Sequence, residues 1–238
     1  MAASRNKRVD GRQLRWQQHN EERRQVILDA AVAVLGRHAP GEDIHVQEIA
    51  DEAGLSRTVV YRHFEDRGDL DLAVQRDICR RATEVLIPAL ELRGTPFDII
   101  RRILDAYVGW ALHNPALTRF AERDLPGNHE KPMDEEILRI AGHIDELMVS
   151  VVSLLGTELS PHERSALVPW MFGVVGGCFQ SVRYWSGRGE LRPPPAEFVD
   201  MMTETIWYQI DGLARARDIV LPDGPVEQLL AGLEPEDD

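Results

Sequence analysis

The residues best suited to chemistry lie in one short segment, AGLSRTVVYRHFEDRGDL, at positions 53–70. In a helix beginning near this point, Arg57, Thr58, Tyr61 and Arg62 share one face, because side chains three and four residues apart point the same way. Guanidinium groups can bind guanine N7 and O6 in the DNA major groove, and hydroxyl groups can bind phosphate oxygens. This face predicts contact with an anionic polymer; the alternative is an ordinary solvated arginine face.

Two short helices and a tight turn are needed to position this face. The segment VQEIADEA predicts the first helix, and residues 56–64 predict the second, with Ser56 as its N-cap. Ala50 has the small side chain required where two helices cross, and Gly54 supplies the positive φ of the turn. Such a pair of helices is typical of a helix-turn-helix motif. The apolar core between the two helices is assigned to Ile49, Leu55 and Val60.

The rest of the chain has helical periodicity nearly throughout, so an all-α fold with about nine helices is predicted. Arg67 lies near the start of the fourth helix, where its charge and the helix N-terminus can both meet a phosphate. Pro88 is expected to kink or shorten the end of that helix. The other helices are expected near 20–37, 97–113, after Asn114, and over 134–155, 160–185 and 196–217.

Four regions follow from this pattern. Residues 1–19 form a basic flexible arm, and residues 20–67 form an N-terminal three-helix domain with the helix-turn-helix. Residues 68–217 form a C-terminal helical bundle, and residues 218–238 form an acidic tail.

The charge distribution assigns any DNA contact to the N-terminal third of the chain. The net charge of −13 at pH 7 opposes a protein that coats nucleic acid over its whole surface. Residues 1–70 are close to neutral, with eleven basic and twelve acidic side chains. The arm could enter a minor groove or serve only as a solubilising tail. Its basic residues are Arg5, Lys7, Arg8, Arg12 and Arg15.

The cysteines and the apolar segments predict a soluble cytoplasmic protein. Cys79 and Cys178 are far apart, and two reduced thiols are favoured over the single possible disulfide. No apolar stretch follows the basic N-terminus, so a signal peptide is not predicted. The longest charge-free apolar run, at 167–179, is shorter than the roughly 20 residues that a membrane span needs. No cofactor is predicted, and no metal-ligand spacing joins His129, His143 and His162.

Residues 49–70, IADEAGLSRTVVYRHFEDRGDL, resemble the DNA-binding motif of the tetracycline-repressor (TetR) family of one-component regulators. The shared features are the Ile-Ala pair, the Gly-Leu-Ser turn, the Tyr-x-His-Phe sequence, and a basic residue followed by a leucine. The helix expected over 20–37 resembles the family's first helix. Together these segments cover about a fifth of the chain. The remainder resembles the family only in length and helical layout.

The resemblance implies roles for particular residues. The family usually begins its second helix with Ser or Thr, whereas this chain has DIHVQE, so His45 or Asp43 must cap that helix. Gln47 is then the better polar candidate for a DNA contact there. Arg67 stands in place of the usual phosphate-binding lysine. Recognition-helix contacts are implied for Ser56, Arg57, Thr58, Tyr61, Arg62 and His63.

A C-terminal domain of this family dimerises and holds a small effector, which implies a homodimer on a palindromic operator. A dimer is also expected because two recognition helices must reach half-sites about one DNA turn, roughly 34 Å, apart. The last two helices would form a four-helix interface with a partner chain. We assign this interface to Gly173, Gly177, Met202, Ile206 and Ile210.

A largely apolar effector pocket is also expected, because aromatic side chains with a few polar groups are typical of ligand pockets. Plain core packing is the alternative for these residues. An effector that binds the non-DNA-competent dimer better would lower operator affinity. The candidate pocket residues are Tyr107, Trp110, His113, Phe120, Trp170, Met171, Cys178 and Trp185.

The predicted function is therefore a sequence-specific transcriptional regulator, a repressor released by a small molecule. The sequence contains no G-x-S-x-G, P-loop, H-E-x-x-H or dinucleotide-binding motif, so an enzyme is not predicted. The alternative is a helical architectural or adaptor protein that binds DNA without a small ligand. A C-terminal domain with no cavity would favour that alternative.

Overall fold

The computed structural model describes residues 11–125, 131–221 and 224–231. These residues form ten α-helices and one short 3₁₀-helix, with no strand among them, so the all-α prediction is confirmed. The nine predicted helices correspond to the first nine observed. Their bounds are α1 Gly11–Leu35, α2 Val46–Glu52, α3 Arg57–His63, α4 Arg67–Leu86, α5 Pro96–His113, α6 Pro115–Ala121, α7 Pro132–Leu154, α8 Pro161–Ser186, α9 Pro195–Arg215 and α10 Val226–Ala231.

The first helix begins earlier than predicted. We expected residues 1–19 to form a flexible arm and the helix to start at Asn20, but α1 begins at Gly11. Residues 12–25, RQLRWQQHNEERRQ, contain no proline or glycine, and arginine, glutamine, leucine and glutamate are good helix formers. The helix therefore continues through the cap signal of Asn20. Arg5, Lys7 and Arg8 of the predicted arm lie outside the described residues.

The chain divides into two compact units. The first unit comprises residues 1–78 and 116–130, and the second comprises residues 79–115 and 131–238. The first unit therefore contains more than the predicted domain of residues 20–67, because it also includes most of α4 and the short helix α6. The helix α4 itself continues across the boundary between Ile78 and Cys79.

In the first unit, α1, α2 and α3 pack around a small apolar core. Ile49, Ala50, Val60 and Leu70 are completely buried, and Phe64 is 1% exposed. Burial of these side chains stabilises the unit, because apolar surface removed from water contributes roughly 25 cal/mol per Å². The core side chains point away from the opposite face of α3, which is thereby left to solvent.

Pro88 ends the fourth helix as expected. The α-helical part of α4 stops at Leu86, and residues Ile87–Leu90 form a 3₁₀-helix with Pro88 near its start. Proline has no N–H to donate and its ring clashes with the preceding turn, so an α-helix cannot continue regularly through it. The predicted fourth helix is thus divided into an α-helical part and a 3₁₀-helical part.

In the second unit, α5 packs against α9 and α7 packs against α8. The rings of Trp185 and Phe198 are stacked with centroids 4.4 Å apart, and Trp185 Nε1 donates to the carbonyl oxygen of Pro193 (2.9 Å). Ser160 and Glu163 form a capping box at the start of α8. The Ser160 N–H donates to Glu163 Oε2 (2.9 Å), and the Glu163 N–H donates to Ser160 Oγ (3.3 Å).

The predicted tail of residues 218–238 is wrong for its first part, because these residues pack onto the second unit. Ile219 and Val226 are buried. The Val226 N–H donates to the Gly94 carbonyl (2.9 Å), and the Gly94 N–H donates to the Glu227 carboxylate (2.8 Å). The apolar residues between the charged ones therefore tie this segment down. The final acidic residues, from 232 onwards, lie outside the described residues.

The helix α8 is long and apolar enough to cross a membrane, by length and composition only. Core helices of water-soluble proteins share this property, so the feature is weak evidence for a membrane span. Less than a third of its most apolar window is buried. Much of α8 is thus an exposed surface of the second unit.

Candidate nucleic-acid interface and ligand cavity

The turn between α2 and α3 is closed by backbone hydrogen bonds. Gly54 has a φ of +64°. The Leu55 N–H donates to the Ala50 carbonyl (2.8 Å), and the Gly54 N–H donates to the Asp51 carbonyl (3.1 Å). This pair of bonds is a Schellman motif, which favours glycine because its first residue beyond the helix is left-handed. The predicted roles of Ala50 and Gly54 in the helix-turn-helix are confirmed.

Replacing Gly54 with alanine is expected to destabilise the first unit by about 1–2 kcal/mol, because a left-handed φ costs a residue with a Cβ about that much. A methyl group here would meet no atom within 4 Å, so the loss would arise from backbone conformation alone. Thermal unfolding of Gly54→Ala beside Gly36→Ala, where φ is not positive, measures this cost. Equal melting temperatures of the two variants would contradict the prediction.

The outward face of α3 is polar and accessible. Arg57, Thr58 and Arg62 are exposed, and Tyr61 is half-buried. The guanidinium carbon of Arg57 lies 5.5 Å from the centroid of the Tyr61 ring. Within the described part of the chain, no hydrogen bond or ion pair occupies the Thr58 or Arg62 side chain. These donors are therefore available to a ligand.

Ser56 occupies the N-cap position of α3 as predicted, with an extended backbone (φ −87°, ψ 152°). Its hydroxyl group, however, makes no capping hydrogen bond. The exposed hydroxyl is thus not committed to the helix and lies beside the Arg57 end of the polar face.

His63 lies on the other side of α3, away from the polar face. It follows Arg57 by six residues, which rotates it roughly 240° around the helix. Its Nδ1 atom is buried without a hydrogen-bond partner among the described residues, and its carbonyl oxygen accepts from Arg24 Nη1 (2.7 Å). Burial, and then the charges of Arg24 and Arg23, lower the pKa of His63. The geometry thus works against the expected DNA contact by His63.

Arg67 is already engaged within the first unit. Its Nε donates to Asp71 Oδ1 (2.7 Å), and its Nη1 donates to the Ile44 carbonyl oxygen (2.8 Å). The first turn of α4 is also capped, because the Asp69 N–H donates to Asp66 Oδ1 (2.8 Å). A phosphate approaching this helix end would compete with Asp66. Arg67 therefore holds the start of α4 against the segment before α2.

The N-cap of α2 is one of the two residues predicted for it. His45 holds the N-cap position, and its N–H donates to Glu48 Oε1 (2.7 Å). Asp43, the other candidate cap, instead pairs with Arg123 Nη1 (2.6 Å). Gln47 is exposed, and its amide nitrogen donates to Asp51 Oδ1 (2.7 Å). This bond holds the Gln47 side chain along α2.

An ion-pair cluster joins the end of α1 to the start of α2. His38 Nδ1 is 3.2 Å from Glu42 Oε2, and His38 Nε2 is 2.9 Å from Glu48 Oε2. Burial lowers the pKa of His38, but hydrogen bonds to Glu48 and Glu42 and their charges outweigh it, so the pKa is raised. The two ring nitrogens of His38 thus face two carboxylates, which favour the protonated form.

Stability of the first unit is expected to fall as the pH rises through the folded-state pKa of His38. Because this pKa is raised on folding, the contribution is fully present below about 6.5, the unfolded value, and is lost above the folded value. Urea unfolding of wild type and His38→Gln between about pH 5 and pH 9 measures the difference. His63, whose lowered pKa has the opposite effect, is present in both proteins. Parallel pH profiles of the two proteins would contradict the prediction.

The second unit contains a cavity of about 200 Å³, named the large cavity because 24 residues line it. This volume exceeds that of an engineered apolar cavity of roughly 150 Å³ that binds benzene. Among its lining residues, only Tyr107 and Cys178 carry a polar side-chain atom. Burial raises the pKa of Cys178 to about 11, so this thiol is neutral. Further lining residues include Leu86, Ile100, Leu104, Ile140, Ile144, Met148, Met171, Val175, Phe179, Ile206 and Ile210.

A second cavity of similar volume, about 210 Å³, is lined by thirteen residues and lies beside the large cavity in the same unit. Trp170 lines it, together with an ion pair in which Arg217 Nε donates to Glu163 Oε1 (2.9 Å). The sequence analysis did not identify Arg217 or Glu163 as candidate site residues, because they are 54 positions apart and only the fold brings them together. Residues shared by the walls of both cavities are Met148, Val152, Ile210 and Leu221.

The predicted pocket residues therefore separate into two groups. Tyr107, Met171 and Cys178 line the large cavity, and Trp170 lines the second cavity. The other predicted residues lie elsewhere. Trp110 packs against the core of the second unit, and the Trp185 ring is stacked within that core. His113 is exposed, with Nδ1 2.7 Å from the Gly109 carbonyl oxygen, and Phe120 is buried in the first unit.

The positions of His113 and Phe120 on their helices explain why neither lines the large cavity as predicted. His113 is the last residue of α5, where its ring folds back onto the helix. Phe120 lies on α6, and its carbonyl oxygen accepts from the buried Gln75 Nε2 (3.0 Å). Both side chains are close in sequence to the cavity residues of α5, but neither lies at the large cavity.

The predicted dimer residues of α9 point inward rather than outward. Ile206 and Ile210 line the large cavity, and Met202 packs against the core. Gly173 and Gly177 of α8 are exposed, and a Cβ at either position would meet no atom within 4 Å. The exposed large hydrophobic side chains of these two helices are instead Phe172, Tyr184, Met201, Tyr208 and Leu213.

Comparison with known proteins gives a consistent assignment. The sequence profile described as "Bacterial regulatory proteins, tetR family" matches residues 27–74, which include α2 and α3. An uncharacterised HTH-type transcriptional regulator of Mycobacterium tuberculosis is 29% identical over 213 residues, which are 88% of this chain and 86% of that protein. The regulator BetI of Brucella melitensis is 29% identical over 103 residues, 43% of this chain and 48% of that protein.

Solved structures share the fold. A tetR-family transcriptional regulator from Streptomyces coelicolor has a TM-score of 0.58 at 20% identity, covering 91% of each chain. A putative tetR-family regulator from Shewanella sp. PV-4 has a TM-score of 0.55 at 19% identity, covering 79% of this chain and 97% of that one. Regulators of this family are DNA-binding proteins rather than enzymes. The helix-turn-helix and the matching profile thus identify residues 27–74 as a DNA-binding domain of the tetR family, in a chain that is similar to HTH-type transcriptional regulators over most of its length.

Proposed function

We propose that this protein is a dimeric repressor that binds a palindromic operator and releases it when a small, largely apolar molecule occupies the second unit. The observation that carries the DNA-binding part is the accessible polar face of α3, whose donors have no partners in the described residues. A helix with such a face, held by a glycine turn, is suited to the major groove.

Within this face, the side chains have distinct proposed roles. Arg57 and Arg62 are long enough to take guanine N7 and O6, while Ser56, Thr58 and Tyr61 contact phosphate oxygens. Gln47 and Arg67 flank the face as phosphate contacts. Arg67 would bind phosphate through the guanidinium nitrogen that neither Asp71 nor Ile44 occupies.

The exposed apolar surface of α8 and α9 supports the dimer. Tyr184 and Tyr208 are 68% and 67% exposed, and Met201 is 50% exposed. Side chains of this kind are enriched in interfaces. Gly173 and Gly177 leave space on α8 for a partner helix to approach closely. These residues replace Met202, Ile206 and Ile210 in our proposal for the interface.

The large cavity supports effector control, whereas a solid second unit would have favoured an architectural protein. One helix provides a route for the response: Leu86, the last residue of α4, lines the cavity, and Arg67, its first residue, is bonded to Ile44 before α2. A ligand that binds better when α4 is displaced would shift the population away from the DNA-competent dimer.

The test is selection of genomic DNA fragments by the purified protein beside an Arg57→Ala/Tyr61→Ala variant. Enrichment of a two-fold symmetric site by the wild type alone supports a dimeric operator-binding protein. Increased transcription from that promoter when the gene is deleted supports repression, and decreased transcription contradicts it. Enrichment of unrelated sequences by both proteins contradicts the assigned face.

A further inference from the structure

The walls of the large cavity restrict what can occupy it. They provide only the hydroxyl of Tyr107 and the neutral thiol of Cys178 as polar side-chain groups. Moving a charged or strongly polar group from water into such surroundings is unfavourable unless hydrogen bonds replace those to water. The part of a ligand that enters the large cavity must therefore be hydrocarbon.

The second cavity has a different chemistry, because it contains Glu163 and Arg217. The two carboxylate oxygens of Glu163 are occupied: Oε1 accepts from Arg217 Nε, and Oε2 accepts from the Ser160 N–H and hydroxyl. The guanidinium of Arg217 also donates from Nη1 to the Leu213 carbonyl (2.9 Å). Its Nη2 has no partner among the described residues. Arg217 Nη2 is thus a donor that a ligand in the second cavity could use.

The two cavities are close enough to be filled by one molecule. Four residues contribute to both walls, and one of them is Met148. Methionine has an unbranched, flexible side chain that adapts to irregular spaces. A movement of the Met148 side chain is therefore a small change that would join the two cavities.

From these observations we propose that the effector is an amphiphile with a carboxylate head at Arg217 and a long hydrocarbon chain in the large cavity. This inference rests on the proposed function, in which the second unit holds the effector. One carboxylate oxygen would accept a charge-assisted hydrogen bond from Arg217 Nη2. The bonds to Glu163 and to the Leu213 carbonyl hold Nε and Nη1 in place and leave Nη2 open.

The experiment is calorimetric titration of the full-length protein with dodecanoate, methyl dodecanoate and acetate. Wild type is expected to bind dodecanoate at least about tenfold more tightly than the methyl ester, the effect of one charge-assisted hydrogen bond. Acetate, which has the head without the chain, should not bind measurably. Equal affinities for dodecanoate and its methyl ester, or no binding of either, would overturn the proposal.

Two variants test whether Arg217 binds the carboxylate head. Arg217→Gln should reduce the preference for dodecanoate over the ester to about twofold or less, because the charge is removed while a polar group remains. Arg215→Gln is the matched control, since Arg215 lies two residues away and pairs with Asp211 on the exposed surface (2.8 Å). Identical dodecanoate affinities of the two variants would overturn the assignment to Arg217. Melting curves of both variants exclude unfolding as the cause.

The same samples distinguish this inference from the proposed function. Operator affinity is measured with and without dodecanoate for the wild type. Binding that depends on Arg217 but leaves operator affinity unchanged supports the ligand class and contradicts effector control. Operator binding by a protein that does not discriminate dodecanoate from its ester supports the regulator and contradicts the ligand class.

Discussion

The Arg57→Ala/Tyr61→Ala variant is expected to lose operator affinity by at least about a hundredfold while keeping its fold. Each lost base or phosphate contact costs about 1–3 kcal/mol, and a two-fold complex loses every contact in both half-sites. The fold should persist because Arg57 is exposed and Tyr61 is only half-buried. Fluorescence anisotropy with a labelled operator fragment measures the affinity, and circular dichroism measures the fold.

The matched control for this variant is Arg119→Ala. Arg119 is an exposed arginine of the same unit, but it lies on α6 rather than on α3. Its loss removes the same charge and should change operator affinity by no more than about threefold, through long-range electrostatics alone. Wild-type affinity in the double variant, or equal losses in the two proteins, would show that the interface lies elsewhere.

The second large effect is expected in the core of the first unit, where Phe64→Ala should cost about 3–5 kcal/mol of stability. Phe64 is 1% exposed, and the guanidinium carbon of Arg24 lies 4.2 Å from its ring centroid. Alanine would leave a cavity and remove the cation–π contact. A loss of this size is a large part of the roughly 5–15 kcal/mol that stabilises a typical domain, so DNA binding should fail as well.

Hydrogen exchange of the α1–α3 amides is the appropriate measurement for Phe64→Ala, since it reports on the first unit separately from the second. Phe64→Leu, which retains most of the apolar volume, should lose much less stability. Val26→Ala is the surface control, because Val26 is 42% exposed and its truncation should change stability by about 0.5 kcal/mol or less. A loss below about 1 kcal/mol in Phe64→Ala would contradict the packing described for this side chain.

The polar face of α3 could be predicted from sequence because local chemistry determines it. The left-handed residue at Gly54, the buried Ala50 and the exposed Arg57 all follow from turn geometry and helical periodicity. His63 differs from these residues, because its DNA contact was implied by the family resemblance, whereas its position on the helical wheel places it toward α1.

Other features depend on tertiary packing, which sequence patterns do not specify. The helix α9 is apolar on two faces, and the pattern alone does not tell which face is internal. The structure turns Ile206 and Ile210 into the cavity and leaves Met201 and Tyr208 exposed. Phe120 similarly lies on a seven-residue helix whose packing partner is not apparent from its own sequence.

The burial of the two thiols has a consequence for oxidative stress. Cys79 and Cys178 are unpaired, and burial raises their pKa values to about 12 and about 11. Peroxides and disulfides react with the thiolate, and at neutral pH only on the order of one Cys178 in ten thousand is in that form. Both sulfur atoms should therefore stay reduced under peroxide, so a change in cellular redox state would not by itself alter this regulator's occupancy of DNA.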